Sequence, residues 1–190
     1  MIKAIIFDCF GVLTTDGWLP FKRRHFGDSP ELHRRATDLN RQVDSGNIGY
    51  ADFITGVAKL AGVSLVDAKR SIEDNVANKP LFGLIKSLKP QYKIGFLSNA
   101  GSNWVSELFS PEQASMFDAI SVSSETGFVK PDRQAYLEIA EKLGVEAGEC
   151  VFVDDQPRYC EAAKDAGMKA IEYRDFEQFK AELEAALQAG

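Results

Sequence analysis

Cysteine and histidine are scarce, at 3 and 2 of 190 residues. Cys9, Cys150 and Cys160 are too few and too scattered for a disulfide framework or a spaced zinc site; two of them adjoin apolar, strand-like runs, so buried free thiols are expected. His25 and His33 have no Ser or Cys motif around them, which argues against a nucleophile triad. Positive charge is in short supply too. Against 28 Asp and Glu there are 22 Lys and Arg, leaving a net charge of -6 and a pI of about 5.0, the wrong balance for a nucleic-acid or anionic-membrane binder. No apolar run approaches the roughly 18 residues that span a bilayer, and the first residues begin a strand rather than a signal peptide. No membrane association and a cytoplasmic location are therefore expected. Repeats and low-complexity tracts are missing as well.

What is present is a core: 45% of residues are hydrophobic, enough for one packed domain with a modest insertion. Ile2 to Asp8 reads as a buried strand that ends in a carboxylate and a glycine turn. The next comparable strand, Tyr92 to Leu97, comes far later than a crossover helix requires, so residues 17–79 read as an inserted helical domain and residues 1–16 with 80–190 as the core. Within the insertion, Ser29-Pro30 opens a helix striped by Leu32, Ala36, Leu39 and Val43. Tyr50 to Leu60 forms a second, closed by Gly62, and Ser64 with Asp67 caps a third that runs to about Val76.

From Pro80 onward helix and strand alternate, the pattern of a parallel sheet covered on both faces. Leu81, Leu84, Ile85 and Leu88 mark one helix face, and a helix follows around Trp104 to Phe109. Ala119 to Val122 and Cys150 to Val153 are strands, with a helix striped by Tyr136, Ile139, Ala140 and Leu143 between them. Pro157 to Ala166 is a helix closed by Gly167, Lys169 to Tyr173 a last strand, and Phe176, Phe179, Leu183 and Leu187 the face of a terminal helix.

Function is signalled by where polar residues fall. Asp8, Ser98 and the Asp154-Asp155 pair each follow the carboxyl end of an apolar strand, where ligands of open α/β sheets sit. Lys130, in Gly127-Phe128-Val129-Lys130-Pro131-Asp132, lies in a loop that can reach the same crevice. Clustered carboxylates repel and raise one another's pKa, so a divalent cation is expected among them, and oxygen-only ligands favour Mg²⁺. A lysine and a serine beside such a centre suit a phosphoryl group, whose oxygens need positive charge and donors. Taken singly, Asp8 reads equally well as a strand-end cap, Ser98 as a helix N-cap and Lys130 as a solvated surface residue.

Four motifs carry a family resemblance: Phe7-Asp8-Cys9-Phe10-Gly11-Val12-Leu13, Leu97-Ser98-Asn99, Lys130-Pro131-Asp132 and Phe152-Val153-Asp154-Asp155. In this order, with a helical insertion between the first and second, the chain resembles the haloacid dehalogenase superfamily over essentially its whole length. It is similar there to the sugar-1-phosphatase and epoxide-hydrolase N-domain phosphatase group. The resemblance implies a Rossmann-like core with a mobile helical cap. It implies that Asp8 is a nucleophile forming an aspartyl phosphate, that Ser98 and Asn99 bind the phosphoryl group, and that Lys130 offsets charge. Mg²⁺ would be held by Asp8, the Phe10 main-chain carbonyl and Asp155, with Asp154 direct or through water. The substrate would be a small phosphorylated metabolite, with sugar phosphates among the candidates. Oligomeric state is not legible.

Phe10 departs from the phosphatase pattern, which places a proton-transferring aspartate two residues after the nucleophile. Asp16, Thr14 and Thr15 are nearby candidates for that role, though each also fits simple turn chemistry. An aromatic at this place resembles the metal-independent 2-haloacid dehalogenases, but those carry Ser and Asn where this chain keeps Asp154-Asp155, and paired carboxylates oppose an anionic haloacid. A phosphate-binding or regulatory protein without turnover is a third reading. Tyr159 replaces the small or acidic residue usual four after the acidic pair. Lys22-Arg23-Arg24-His25 and Arg34-Arg35 read as a solvated helix face or as cap groups aimed at an anion.

Overall fold

In a computed structural model, which describes residues 1–188, strands β1 (Ala4–Phe7), β2 (Lys93–Ser98), β3 (Ala119–Val122), β4 (Cys150–Asp154) and β5 (Lys169–Glu172) form one parallel sheet in the order β3-β2-β1-β4-β5. This is the Rossmann-like α/β core that the alternating pattern predicts. Strand β1 lies at its centre, with Phe7 in register with Phe96 on one side and Val153 on the other. Successive side chains point to opposite faces. Ile5, Phe7 and Cys9 therefore join Ile94, Phe96, Val151 and Val153 in one buried layer, while Ala4 and Ile6 join Phe152 in the other. Burial on both faces explains why the strands read as continuous apolar runs.

Between β1 and β2 the chain inserts four helices: α1 (Trp18–Phe26), α2 (Pro30–Asp44), α3 (Tyr50–Ala61) and α4 (Leu65–Glu73). They bury a core of their own around Phe21, Phe26, Ala36, Val57 and Ala68. Local chemistry sets their ends. The Ser29 side chain accepts from the Leu32 N–H with Pro30 in the first turn, Ser64 accepts from the Asp67 N–H, and Gly62 closes α3 in the left-handed region at φ 67°.

Two expectations need correction here. Helix α1 has no counterpart among the three predicted helices; its start is marked by Asp16, whose Oδ1 accepts from the Trp18 and Leu19 N–H groups. Helix α4 stops at Glu73, short of Val76. The chain turns there because Asn75 Oδ1 accepts from the Gly17 N–H and Thr15 pairs with Val76, which lays the exit of the insertion beside its entrance.

The remaining helices are α5 (Lys79–Leu88), α6 (Val105–Leu108), α7 (Pro111–Ala114), α8 (Ser123–Thr126), α9 (Arg133–Leu143), α10 (Pro157–Asp165) and α11 (Phe176–Gln188), with a 3₁₀ turn at Ala147–Glu149. Residues of α5 and α11 pack on the Phe7 layer and those of α9 and α10 on the Ile6 layer. Among the described residues no helix is long and apolar enough to cross a membrane.

Candidate active site

Asp8 leaves the sheet one residue beyond β1, its N–H donating to the Val153 carbonyl at 2.9 Å. Gly11 then turns the chain at φ 92°, a conformation that strains residues with a Cβ. Space demands glycine as well, since a Cβ here would lie 2.7 Å from Asp155 Cγ. The Asp155 carboxylate thus packs directly on the Phe10-Gly11 turn.

Lys130 joins the first and last motifs. Its Nζ lies 2.6 Å from Asp8 Oδ1 and 2.6 Å from Asp154 Oδ2, and only 2% of the residue is exposed. Asp154 Oδ1 accepts from the Gln156 N–H at 2.8 Å, so both of its oxygens are engaged. Asp155 Oδ2 accepts from Gln156 Nε2. Carboxylate oxygens of Asp8, Asp154 and Asp155 lie within 4.8 Å of one another. With one ammonium among three carboxylates the cluster is short of positive charge, and its oxygen-only donors with the Gly11 cradle fit a hard divalent cation such as Mg²⁺.

Burial pushes the Asp8 carboxyl up, to about 8, against the pull of Lys130, and Asp154 adds to the rise. Burial alone would lower the Lys130 ammonium, but Asp154 and Asp8 outweigh it and hold it protonated. The Lys130 Nζ also lies 4.9 Å from the Tyr159 ring centroid and 5.3 Å from that of Phe152, a cation–π setting.

Ser98 ends β2 at the same edge of the sheet. Its Oγ is buried without a hydrogen-bond partner among the described residues, an unusual state for a hydroxyl and one that a ligand acceptor would relieve. The Asn99 side chain turns away from this role and clamps Lys130: Nδ2 donates to the Lys130 carbonyl at 2.9 Å and Oδ1 accepts from its N–H at 2.8 Å. Asn99 can therefore offer a phosphoryl group its main chain but not this amide.

A cavity of about 360 Å³ opens above the cluster, floored by Asp8, Phe10 and Asp155 and walled by insertion residues that include Trp18, Lys22 and Asp44. Of the basic residues singled out in the sequence, Lys22 lines this space, while Arg23, Arg24, Arg34 and Arg35 are exposed. His25 packs on Phe21 with ring centroids 4.5 Å apart, and His33 is exposed. Thr14 Oγ1 donates to the Cys9 carbonyl, which is turn chemistry, while Thr15 Oγ1 accepts from the Val76 N–H and so ties the two ends of the insertion together. Asp16 borders the cavity while capping α1. The three cysteines are free and buried, and burial raises the Cys9 thiol well above its usual range and Cys150 and Cys160 to about 12, so none is a ready nucleophile.

Sequence signals for Tyr159, Asn99 and Lys22 were visible as residue types, but their partners lie across the fold. Asp44 gave no signal of its own, since a carboxylate at a helix end looks like ordinary solvated charge.

A strand-edge carboxylate bound to a loop lysine and faced by an acidic pair defines a class of α/β hydrolase sites. Comparison with known proteins makes the class specific. The family model described as haloacid dehalogenase-like hydrolase matches residues 2–167, and the chain belongs to that family of enzymes. A phosphatase of Mycobacterium tuberculosis is 41% identical over 89% of this chain and 86% of its own length. Among solved structures, a haloacid dehalogenase family enzyme of Bacteroides thetaiotaomicron, in complex with magnesium and inorganic phosphate, superposes with TM-score 0.72 at 23% identity, covering 94% of this chain and 99% of the other. A structure from Porphyromonas gingivalis, described as a predicted haloacid dehalogenase-like family hydrolase, superposes with TM-score 0.74 at 24% identity over 98% of both chains.

Proposed function

We propose that this chain is a Mg²⁺-dependent phosphohydrolase that removes phosphate from a small phosphorylated metabolite through an aspartyl-phosphate intermediate. The observation that carries the reading is the Lys130 ammonium bonded to both Asp8 and Asp154, with Asp155 beside them. Asp8 Oδ attacks phosphorus as the ester P–O bond breaks, and water then attacks the phosphorus of the aspartyl phosphate and frees Asp8. Lys130 offsets charge on the nucleophile and the phosphoryl oxygens. Ser98 Oγ donates to one of those oxygens, which answers its lack of a partner, and the Asn99 main chain supports another.

Asp8, Asp155 and the Phe10 carbonyl would hold Mg²⁺ directly. Asp154, with both oxygens already engaged, would act through water. When bound, the ion supplies the positive charge that the carboxylate cluster and a phosphoryl group both need. The phosphatase relative and the neighbour holding magnesium with inorganic phosphate support this choice. Retention of Asp154-Asp155 argues against haloacid dehalogenation, because an anionic haloacid would meet three carboxylates and one lysine. The four helices of the insertion act as a cap domain over the cavity, closing on substrate and excluding water.

A phosphatase screen with Mg²⁺, spanning leaving groups of differing basicity, tests the reading with Asp8→Asn as control. Turnover by the wild type and its loss in Asp8→Asn are expected. Full activity in Asp8→Asn would show the covalent route to be wrong, and a phosphorylated Asp8 that persists without turnover would favour a regulatory protein.

A further inference from the structure

With Phe10 in the place of a proton-transferring acid, the phosphohydrolase reading leaves the leaving group without a proton. The cavity offers three further carboxylates on its insertion side, Asp16, Asp44 and Glu73. Glu73 ends α4 with Oε2 3.9 Å from Lys69 Nζ of its own helix. Asp16 is committed: one of its oxygens accepts from two N–H groups at the start of α1. Asp44 is placed differently. It is the last residue of α2, and that helix end is seated on the core at two points. The Asp44 carbonyl accepts from Ser123 Oγ at 2.5 Å, and Ser123 Oγ in turn accepts from the Ala100 N–H. Beside it, Val43 fills the space that a Cβ on Gly101 would occupy. The carboxyl is thereby held over the edge formed by β2 and β3, in the cavity that Asp8 and Asp155 floor. Asn40 Nδ2 donates to Asp44 Oδ2 at 2.7 Å, and no donor among the described residues bonds Oδ1.

We propose that Asp44 is the proton-transfer residue of this site, supplied by the insertion in place of an acid at position 10. This inference rests on the phosphohydrolase reading. In the first step an Asp8 oxygen bonds to phosphorus, the ester P–O bond breaks, and the departing oxygen takes the Asp44 proton. In the second, water bonds to phosphorus as Asp44 takes its proton, the bond to Asp8 breaks, and inorganic phosphate leaves with both aspartates restored to their starting forms.

Charge around Asp44 is compatible with this cycle. Lys130 and Arg158 face it from the core, with Tyr159 beside them; Asp16, Lys22 of α1, Tyr50 of α3, Glu73 of α4 and Glu107 of α6 line the same cavity, and α8 contributes the uncharged Ser123. Burial pushes the carboxyl up to about 7, opposed by Lys130, by the Asn40 bond and by Arg158. Both protonation states are then populated near neutral pH, as an acid that must become a base requires. A purely structural role explains the residue poorly, because a carboxylate at a helix C-terminus opposes the helix dipole and this one is also largely desolvated.

The test compares an alkyl phosphate, whose leaving group needs a proton, with 4-nitrophenyl phosphate, whose leaving group does not, using the whole chain with Mg²⁺. Asp44→Asn should slow single-turnover cleavage of the alkyl ester roughly 10²–10⁴-fold. With the aryl ester the same variant should release a rapid burst of nitrophenolate and accumulate phosphorylated Asp8, visible in the intact mass, because the second step lacks its base. Asp44→Glu should restore part of the alkyl rate. Equal slowing of both first steps, no slowing of either, or this signature in Asp16→Asn or Glu73→Gln in place of Asp44→Asn would overturn the proposal.

Should Asp44→Asn fail to fold, the wild type decides. Its single-turnover rate on the alkyl ester should fall as pH rises through about 7 while the aryl rate does not, and identical profiles would count against Asp44. Failure of the wild type on every phosphate ester, or full activity in Asp8→Asn, would instead remove the phosphohydrolase reading itself and the role of Asp44 with it.

Discussion

The Asn99 side chain holds the Lys130 backbone at both ends, accepting from its N–H at 2.8 Å and donating to its carbonyl at 2.9 Å. The clamp ties the loop after α8 to the end of β2 and so sets where the ammonium meets Asp8. Asn99→Ala should leave the fold intact and lower kcat on phosphate esters roughly 10²-fold, the scale of an ångström-sized misplacement. Asn99→Asp, which keeps the acceptor and loses the donor, should fall between. Steady-state kinetics with Mg²⁺ checks both, and unchanged kcat in Asn99→Ala would show that Lys130 needs no clamp.

Lys130→Met strands two buried carboxylates without their cation. Breaking a buried pair in this way costs about 3–5 kcal/mol, so urea unfolding without metal should show a large loss of stability along with loss of activity. Double substitution with Asp154→Asn should recover part of the stability and none of the activity.

Ser98→Ala should separate stability from function. The hydroxyl makes no hydrogen bond to the described residues that the variant could lose, so unfolding free energy should change by less than about 1 kcal/mol. Phosphatase kcat should nevertheless drop roughly 10²–10³-fold, the usual cost of deleting a donor to developing oxyanion charge.

Gly11→Ala forces a Cβ to within 2.7 Å of Asp155 Cγ at φ 92°. The Asp155 carboxylate must shift, and the Mg²⁺ concentration for half-maximal activity should rise roughly 10–100-fold. A magnesium titration of the variant reads this directly, and an unchanged midpoint would remove Asp155 from the metal site.

Asp44 makes stability depend on pH with a defined sign. Its folded pKa is raised from an ordinary 3.8 to about 7, so between those values the folded state binds more protons than the unfolded one. Its contribution to stability is full below about 4 and is lost as pH rises through 7, by at most about 4 kcal/mol. Asp44→Asn should flatten that part of the profile in melts of the metal-free protein and be the more stable form at pH 8. Asp8, raised to about 8, adds a loss of the same sign in the Asp44→Asn background.

Much of the scaffold was legible because parallel strands buried on both faces leave uninterrupted apolar runs. Each run that ended in Asp8, Ser98 or Asp154 named a residue at the carboxyl edge of the sheet. Helix caps at Ser29 and Ser64 were equally local. Helix α1 escaped notice because its cap, Asp16, stands before Gly17 and Pro20 lies inside its first turn, and the end of α4 was set by Asn75 reaching Gly17 from the other side of the insertion.

The sequence alone determined which side chains stand at the strand ends and that Phe10 cannot carry a proton, since both follow from residue identity and strand periodicity. Only the tertiary structure decided that Asn99 clamps Lys130, that Tyr159 lies against the lysine, that Lys22 rather than Arg23 or Arg24 faces the cavity, and that Asp44 lines the same cavity as Asp8. Periodicity states which face of a helix is apolar. Where that helix docks, and which polar residue its docked end carries to the site, depends on contacts between residues far apart in the chain, such as Val43 against Gly101 and Asp44 against Ser123.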